Sequence, residues 1–200
     1  MIQGSDEWFA ARCGKVTASR IADMLTRTKT GWGAGRKNYL AQLVAERLTG
    51  KPADSYTNAA MQWGIETEPQ ARAAYEFFSD MQVTETGFVV HPEIDMSGAS
   101  PDGIVGEGLV EIKCPNTATH IDTLLNKKIP AKYAHQMNWQ MACTGAKWCD
   151  FVSFDPRMPA DLQFFVKRQE RDDEKITELE QQVIEFLNEV DQTINQLKAA

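Results

Sequence analysis

The sequence predicts an α/β fold, with a mixed central β-sheet flanked by helices on both sides. Three observations carry that expectation. The stretch from Gly98 to Pro115 reads as a hairpin, with turn residues at Pro101-Asp102-Gly103 and again at Gly106 and Gly108. Lys147 to Asp155 and Leu162 to Arg168 alternate as paired strands do. Between and beyond them lie apolar stripes at helical spacing, the longest over about 172–198, where Ile176, Leu179, Val183, Phe186, Leu187, Val190, Ile194 and Leu197 recur.

In chain order, Ser5 caps a short helix with acids in its first turn, running to about Cys13 and ended by Gly14. Thr17 is placed to cap a second helix, Ala18 to about Leu25. Arg27 to Gly35 is a Gly-rich, basic loop that bears a tryptophan and lacks the spacing of a phosphate loop. Exposed, its cations (Lys29 among them) could track a nucleic-acid backbone, or the segment could be a plain connection. Asn38 to Leu48 reads as a helix closed by Gly50, and Asn58 to about Phe78 as another, kinked or restarted at Pro69. Strands are expected at about Val83 to Val90 and just before Gly98. Asn116 to Asn126 and Pro130 to Cys143 read as helices, with Gln136 and Gln140 on one face of the second. The last helix is expected to pack on the body or on a neighbouring subunit. No repeat, low-complexity segment or linker interrupts the chain, so 1–200 is expected to form a single domain of ordinary size.

The chemistry gathers at the hairpin. In the strand Leu109-Val110-Glu111-Ile112-Lys113, alternation sends Val110 and Ile112 to one face and Glu111 and Lys113 to the other. Asp102, one arm earlier, can return to the polar face at the sheet edge. Two carboxylates are hard oxygen donors suited to Mg²⁺ or Mn²⁺, with help from the Ile112 carbonyl. A bound metal lowers the pKa of water and neutralises charge on a phosphate, and an adjacent lysine can orient or deprotonate that water. The pattern therefore suits phosphodiester hydrolysis. An ordinary hairpin with a surface Glu/Lys pair is the bland alternative.

Composition bounds the rest. The formal charge of −7 argues against a general nucleic-acid binder. Its distribution is uneven, however: Arg12, Lys15, Arg20, Arg27, Lys29, Arg36 and Lys37 face only Asp23, while the chain after Glu170 is mostly acidic. A local DNA site on an acidic body fits that asymmetry. The four cysteines form no Cys-x-x-Cys pair and the three histidines are scattered, which argues against zinc and iron–sulfur sites. Reduced thiols, with no signal peptide and no long apolar run, predict a cytoplasmic protein that does not enter a membrane.

Ser100-Pro101-Asp102-Gly103 followed by Glu111-Ile112-Lys113 resembles the Pro-Asp…(Asp/Glu)-x-Lys nuclease signature. More closely, Arg12…Thr17-Ala18-Ser19, Trp63-Gly64…Glu68, Glu111-Ile112-Lys113-Cys114-Pro115 and Tyr133…Gln136 resemble the phage lambda-type alkaline exonucleases, from Trp8 to about Met158. The resemblance implies a restriction-endonuclease-like core, with Asp102, Glu111 and Lys113 catalytic and Glu68 a third acidic member, direct or water-mediated. It implies a Mg²⁺-dependent 5′-to-3′ exonuclease on double-stranded DNA ends, built as a ring-shaped homotrimer and working beside a single-strand annealing protein. It places Arg12, Ser19, Ser100 and Gln136 around a 5′-phosphate, with Thr17 nearby as phosphate contact or helix cap. Met61 corresponds to an apolar residue that wedges between strands, although a helical methionine also suits a core. Relatives often carry a second glutamine two residues after the first, where this chain has Asn138. The alternatives are a structure-specific or restriction-like endonuclease, and a DNA-end binding module.

Overall fold

The computed structural model describes residues 1–53 and 58–199. Helix α1 (Asp6–Arg12) starts where Ser5 Oγ accepts from the Trp8 amide at 3.3 Å. Strand β1 (Val16–Thr17) leads into a 3₁₀ turn at Ala18–Arg20 and the short helix α2 (Ile21–Met24). The expected single helix from Ala18 is thus two short pieces, and Thr17 makes no side-chain cap. Its amide donates instead to the Tyr39 hydroxyl at 3.0 Å. The Gly-rich stretch is a small hairpin of β2 (Arg27–Thr28) and β3 (Gly31–Trp32), in which Trp32 lies between the guanidinium groups of Arg27 and Arg36.

Helix α3 (Ala34–Thr49) begins four residues before the expected start and ends at Gly50, whose φ of 67° suits a left-handed cap. Helix α4 (Ala59–Ser79) is capped by Asn58 and runs unbroken through Pro69. Proline removes one backbone bond there, but Thr67, Ala71 and Tyr75 are buried against the sheet and hold the helix across it. The strand expected over Val83 to Val90 is ladder-paired only at β4 (Val89–Val90), with a single bridge from Thr84 to Ile104. β4 pairs with β5 (Ser97–Ala99), which also pairs in parallel with β1.

The main sheet has the order β6 (Gly103–Val105), β7 (Gly108–Lys113), β8 (Trp148–Phe154), β9 (Phe164–Glu170). Its β7–β8 pairing is parallel and the flanking pairings are antiparallel, so the sheet is mixed as expected. Gly106 sits first in the two-residue β6–β7 loop with φ 57°, the position such hairpins reserve for glycine. Helices α5 (Thr117–Asn126) and α6 (Ala131–Thr144) fill the β7–β8 crossover, and α7 (Asp173–Ala199) closes the described chain.

Two cores form, one on each face of the sheet. Leu109, Cys149 and Phe151 pack with α2, α3, α6 and α7, while Val110, Ile112, Val152 and Phe154 pack under α4. The acidic helix α7 meets part of the basic N-terminal segment. Arg36 is buried and pairs with Glu189 at 2.7 Å, and Arg47 pairs with Asp191 at 2.7 Å. Part of the charge asymmetry is therefore internal pairing rather than an open basic face.

Candidate active site

The β-alternation holds, but its consequence differs from the expectation. Glu111 and Lys113 do share a face, opposite Val110 and Ile112. That face is covered by α6, while in the plane of the sheet β8 pairs along Glu111 to Lys113 and β6 reaches only to Val110. Glu111 is fully buried. Gln136 Nε2 donates to its Oε1 at 2.6 Å, Gln140 Nε2 donates to its Oε2 at 2.5 Å, and the Lys113 ammonium pairs with Oε1. A buried carboxylate survives only with such partners. Gln136 and Gln140 stand one helical turn apart, so both reach the same carboxylate.

Asp102 lies just before β6. Its Oδ2 accepts from the Ile112 amide at 2.7 Å, at a point of β7 beyond the last β6 partner. A strand residue directs its N–H and C=O to the same edge, so the Ile112 carbonyl faces Asp102 as well. Gly103 lets Val83 pack against the start of β6, because a Cβ there would lie 2.1 Å from Val83 Cγ1.

The electrostatics mark an excess of negative charge. Burial, with added repulsion from Glu111 and Glu68, raises the Asp102 carboxyl well above the ordinary aspartate range, against the opposing pull of Lys113 and the Ile112 amide. Glu68 is raised too, by burial first, with Arg72 and Lys113 opposing. Burial pulls Lys113 down, but Glu111 and Asp102 more than offset this and leave it above the usual lysine range. The ammonium form of Lys113 is therefore favoured while Glu111 and Asp102 hold no cation.

The site opens into two cavities. The smaller, about 210 Å³, is lined by Arg12, Thr17, Ser19, Ser100, Asp102, Lys113 and Gln136, together with Gln3, Trp8 and Ala18. The larger, about 720 Å³, brings Glu68, Asp102, Met61 and Arg12 to one wall system. Residues expected around a phosphate thus meet those expected at the metal. Arg12 stacks 3.7 Å over the Trp8 ring and makes no ion pair among the described residues. Burial lowers its pKa, with Arg20 adding to the effect and Tyr39 and Glu46 opposing it. Thr17 contributes a hydroxyl, 3.5 Å from that of Ser19, while its amide is engaged by Tyr39. Met61 is 53% exposed, so it is not a core methionine. Lys29 stands at the exposed turn of the β2–β3 hairpin and lines neither cavity. Glu66, two residues before Glu68 on α4, is exposed and accepts from Gln62.

Sequence reasoning missed three participants. Gln140 was visible as a partner of Gln136 at i, i+4, but not as a donor to Glu111. Trp8 supports Arg12 and donates Nε1 to Ser100 Oγ at 2.9 Å, and the Trp-x-x-x-Arg spacing on a capped helix was the available signal. Gln3 ties the N-terminus to the Pro101 carbonyl at 2.9 Å.

The donor chemistry fits a hard divalent cation. Three carboxylates and a backbone carbonyl offer only oxygen, and their mutual repulsion is what a cation relieves. Among the described residues no three His, Cys, Asp or Glu side chains stand close enough together to hold a metal ion as they are. Lys113 and Arg72 currently occupy oxygens of Glu111 and Glu68. The set suits an ion that uses few protein ligands and keeps several waters.

A mixed sheet that presents Pro-Asp at one hairpin arm and Glu-x-Lys at the other, under flanking helices, defines a nuclease core of the Pro-Asp…(Asp/Glu)-x-Lys class. The chain belongs to the YqaJ-like viral recombinase family, whose model matches residues 7–147. It is 53% identical to the alkaline exonuclease LHK-Exo from Laribacter hongkongensis, with 98% of this chain and 97% of that one covered and a TM-score of 0.91. A structure of LHK-Exo in complex with dAMP matches at TM-score 0.92 with the same identity and coverage. A phage-related exonuclease from Haemophilus somnus shares the fold at 20% identity, TM-score 0.74, covering 92% of this chain and 96% of that one. No curated protein matches the chain. The protein is an enzyme, a nuclease of the alkaline exonuclease type associated with recombination, and nucleases of this family require a divalent cation. Among the described residues no helix is long and apolar enough to cross a membrane.

Proposed function

We propose that this chain degrades double-stranded DNA from 5′-phosphorylated ends in the 5′-to-3′ direction, using Mg²⁺ with Mn²⁺ as a substitute. The observation that carries this reading is the 210 Å³ cavity, where Arg12, Ser19, Ser100 and Gln136 stand beside Asp102 and Lys113. Asp102, Glu111, the Ile112 carbonyl and Glu68 are the ligands. When bound, the cation activates an attacking water and neutralises charge on the scissile phosphate.

The chain's own groups do the rest. Arg12 grips the terminal phosphate with two charge-assisted bonds. Thr17, Ser19 and Ser100 add hydroxyls. The Gln136 amide has two N–H groups; one is spent on Glu111 and the other is left for phosphate. Lys113, held as an ammonium, lends its charge to the transition state. Met61 and Ile65, exposed on α4 beside the larger cavity, part the strands at the end. Lys29 contacts the DNA backbone farther out. The chain acts as a single nuclease domain over 1–200, assembles as a ring-shaped homotrimer and works beside a single-strand annealing protein. It operates in the cytoplasm, a setting that its free cysteines suit.

The test incubates linear 5′-phosphorylated duplex and closed circles with the protein and Mg²⁺. Loss of the linear duplex from its 5′-ended strands, with circles spared, is the expected result. Nicked circles would make it an endonuclease, and loss of neither would make it an end-binding module.

A further inference from the structure

Glu68 is not free in this site. Arg72, one turn further along α4, holds its Oε1 at 2.6 Å with Nη2 and contacts Glu85 Oε1 with Nη1. The two acids differ in setting: the Arg72 side chain is 18% exposed, that of Glu68 32% and that of Glu85 69%. The third nitrogen, Nε, is buried with no hydrogen-bond partner among the described residues. Glu68, Arg72, Glu85 and Asp102 all line the 720 Å³ cavity. A guanidinium so placed is costly unless both carboxylates keep it company, and it restricts Glu68 to one arrangement.

We propose that Arg72 is a positioning residue for the metal site, anchoring one oxygen of Glu68 so that the other is presented to a divalent cation, while Glu85 balances its charge from the solvent side. This rests on the reading of Glu68 as a metal ligand. A ligating carboxylate is commonly held by such an outer partner, and loss of the partner weakens metal affinity.

The experiment is calorimetric titration of the full chain with Mn²⁺ alone, in the absence of DNA. Arg72→Gln is expected to weaken Mn²⁺ binding about ten- to a hundredfold. Arg72→Lys keeps the charge but not the two-pronged geometry, and is expected to fall between. Glu68→Gln is expected to weaken binding by itself, and Arg72→Gln added to it to weaken binding no further. Wild-type affinity in Arg72→Gln alongside a weakened Glu68→Gln overturns the proposal. So does a full additional loss in the double variant, because Arg72 would then act through something other than Glu68. If Glu68→Gln leaves affinity unchanged, the ligand reading of Glu68 falls first, and the proposal with it. Thermal melting without metal checks the fold, and Arg72→Lys carries the comparison where Arg72→Gln does not fold.

Discussion

Gln140 donates its side-chain amide to Glu111 Oε2 across 2.5 Å, and neither side chain reaches solvent. The bond joins α6 to β7 and fixes the carboxylate from the side opposite Lys113. Gln140→Ala removes the only Oε2 partner that the structure shows and opens a cavity beside it. The expected loss of stability is roughly 2–4 kcal/mol. Denaturant unfolding without metal measures it; a loss under about 0.5 kcal/mol, the range of an ordinary surface change, would mean that Glu111 is satisfied otherwise.

Asp102 carries an electrostatic cost that fits its proposed role as a metal ligand. Its folded-state pKa is raised, chiefly by burial and then by Glu111 and Glu68. The native state therefore binds this proton more tightly than the unfolded chain, and stability falls as pH rises through the window above the unfolded aspartate value of about 3.9. Asp102→Asn removes that penalty. Metal-free Asp102→Asn is expected to melt higher than wild type at pH 8, with the advantage shrinking as pH falls from the raised folded-state value toward about 4, below which Asp102 is neutral in both states. The same substitution is expected to abolish cleavage while duplex binding persists. Cleavage within tenfold of wild type would remove Asp102 from the site.

The hairpin, the mixed sheet and the long C-terminal stripe were legible because each is a local pattern of turns and periodicity. The burial of Glu111 was not. Alternation places Glu111 and Lys113 together, but whether that face meets water depends on α6, whose Gln136 and Gln140 lie 25 and 29 residues beyond Glu111. The β2–β3 hairpin was hidden because two-residue strands carry no periodicity. Val83 to Val90 has strand-like residues yet lacks a neighbour along most of its length. The pairing of Arg36 and Arg47 with α7 is likewise a tertiary fact that a charge count along the chain cannot hold.

Lys113 is read as a positive charge for the transition state. Lys113→Ala is expected to slow cleavage on the order of a hundredfold, about 3 kcal/mol, with little change in DNA affinity. Single-turnover rates and equilibrium binding separate the two. If weakened binding accounts for the whole loss, Lys113 is a ground-state phosphate contact.

Met61 is exposed beside the larger cavity, so shortening it leaves the core intact. Met61→Ala is expected to keep stability within about 0.5 kcal/mol. It is expected to slow digestion of fully paired blunt ends more than digestion of ends already frayed by mismatches. Equal slowing on both substrates would argue against strand separation by this residue.

The central claim is that a terminal phosphate held by Arg12 sets the scissile bond beside Asp102 and Glu111. Single-turnover digestion of 5′-phosphorylated and 5′-hydroxyl duplex, by wild type and by Arg12→Ala, tests it most directly. The account predicts faster wild-type digestion of the phosphorylated end, and an Arg12→Ala enzyme that loses this preference more than it loses general duplex binding. Equal wild-type rates on the two ends, or an Arg12→Ala enzyme with its preference intact, would contradict it.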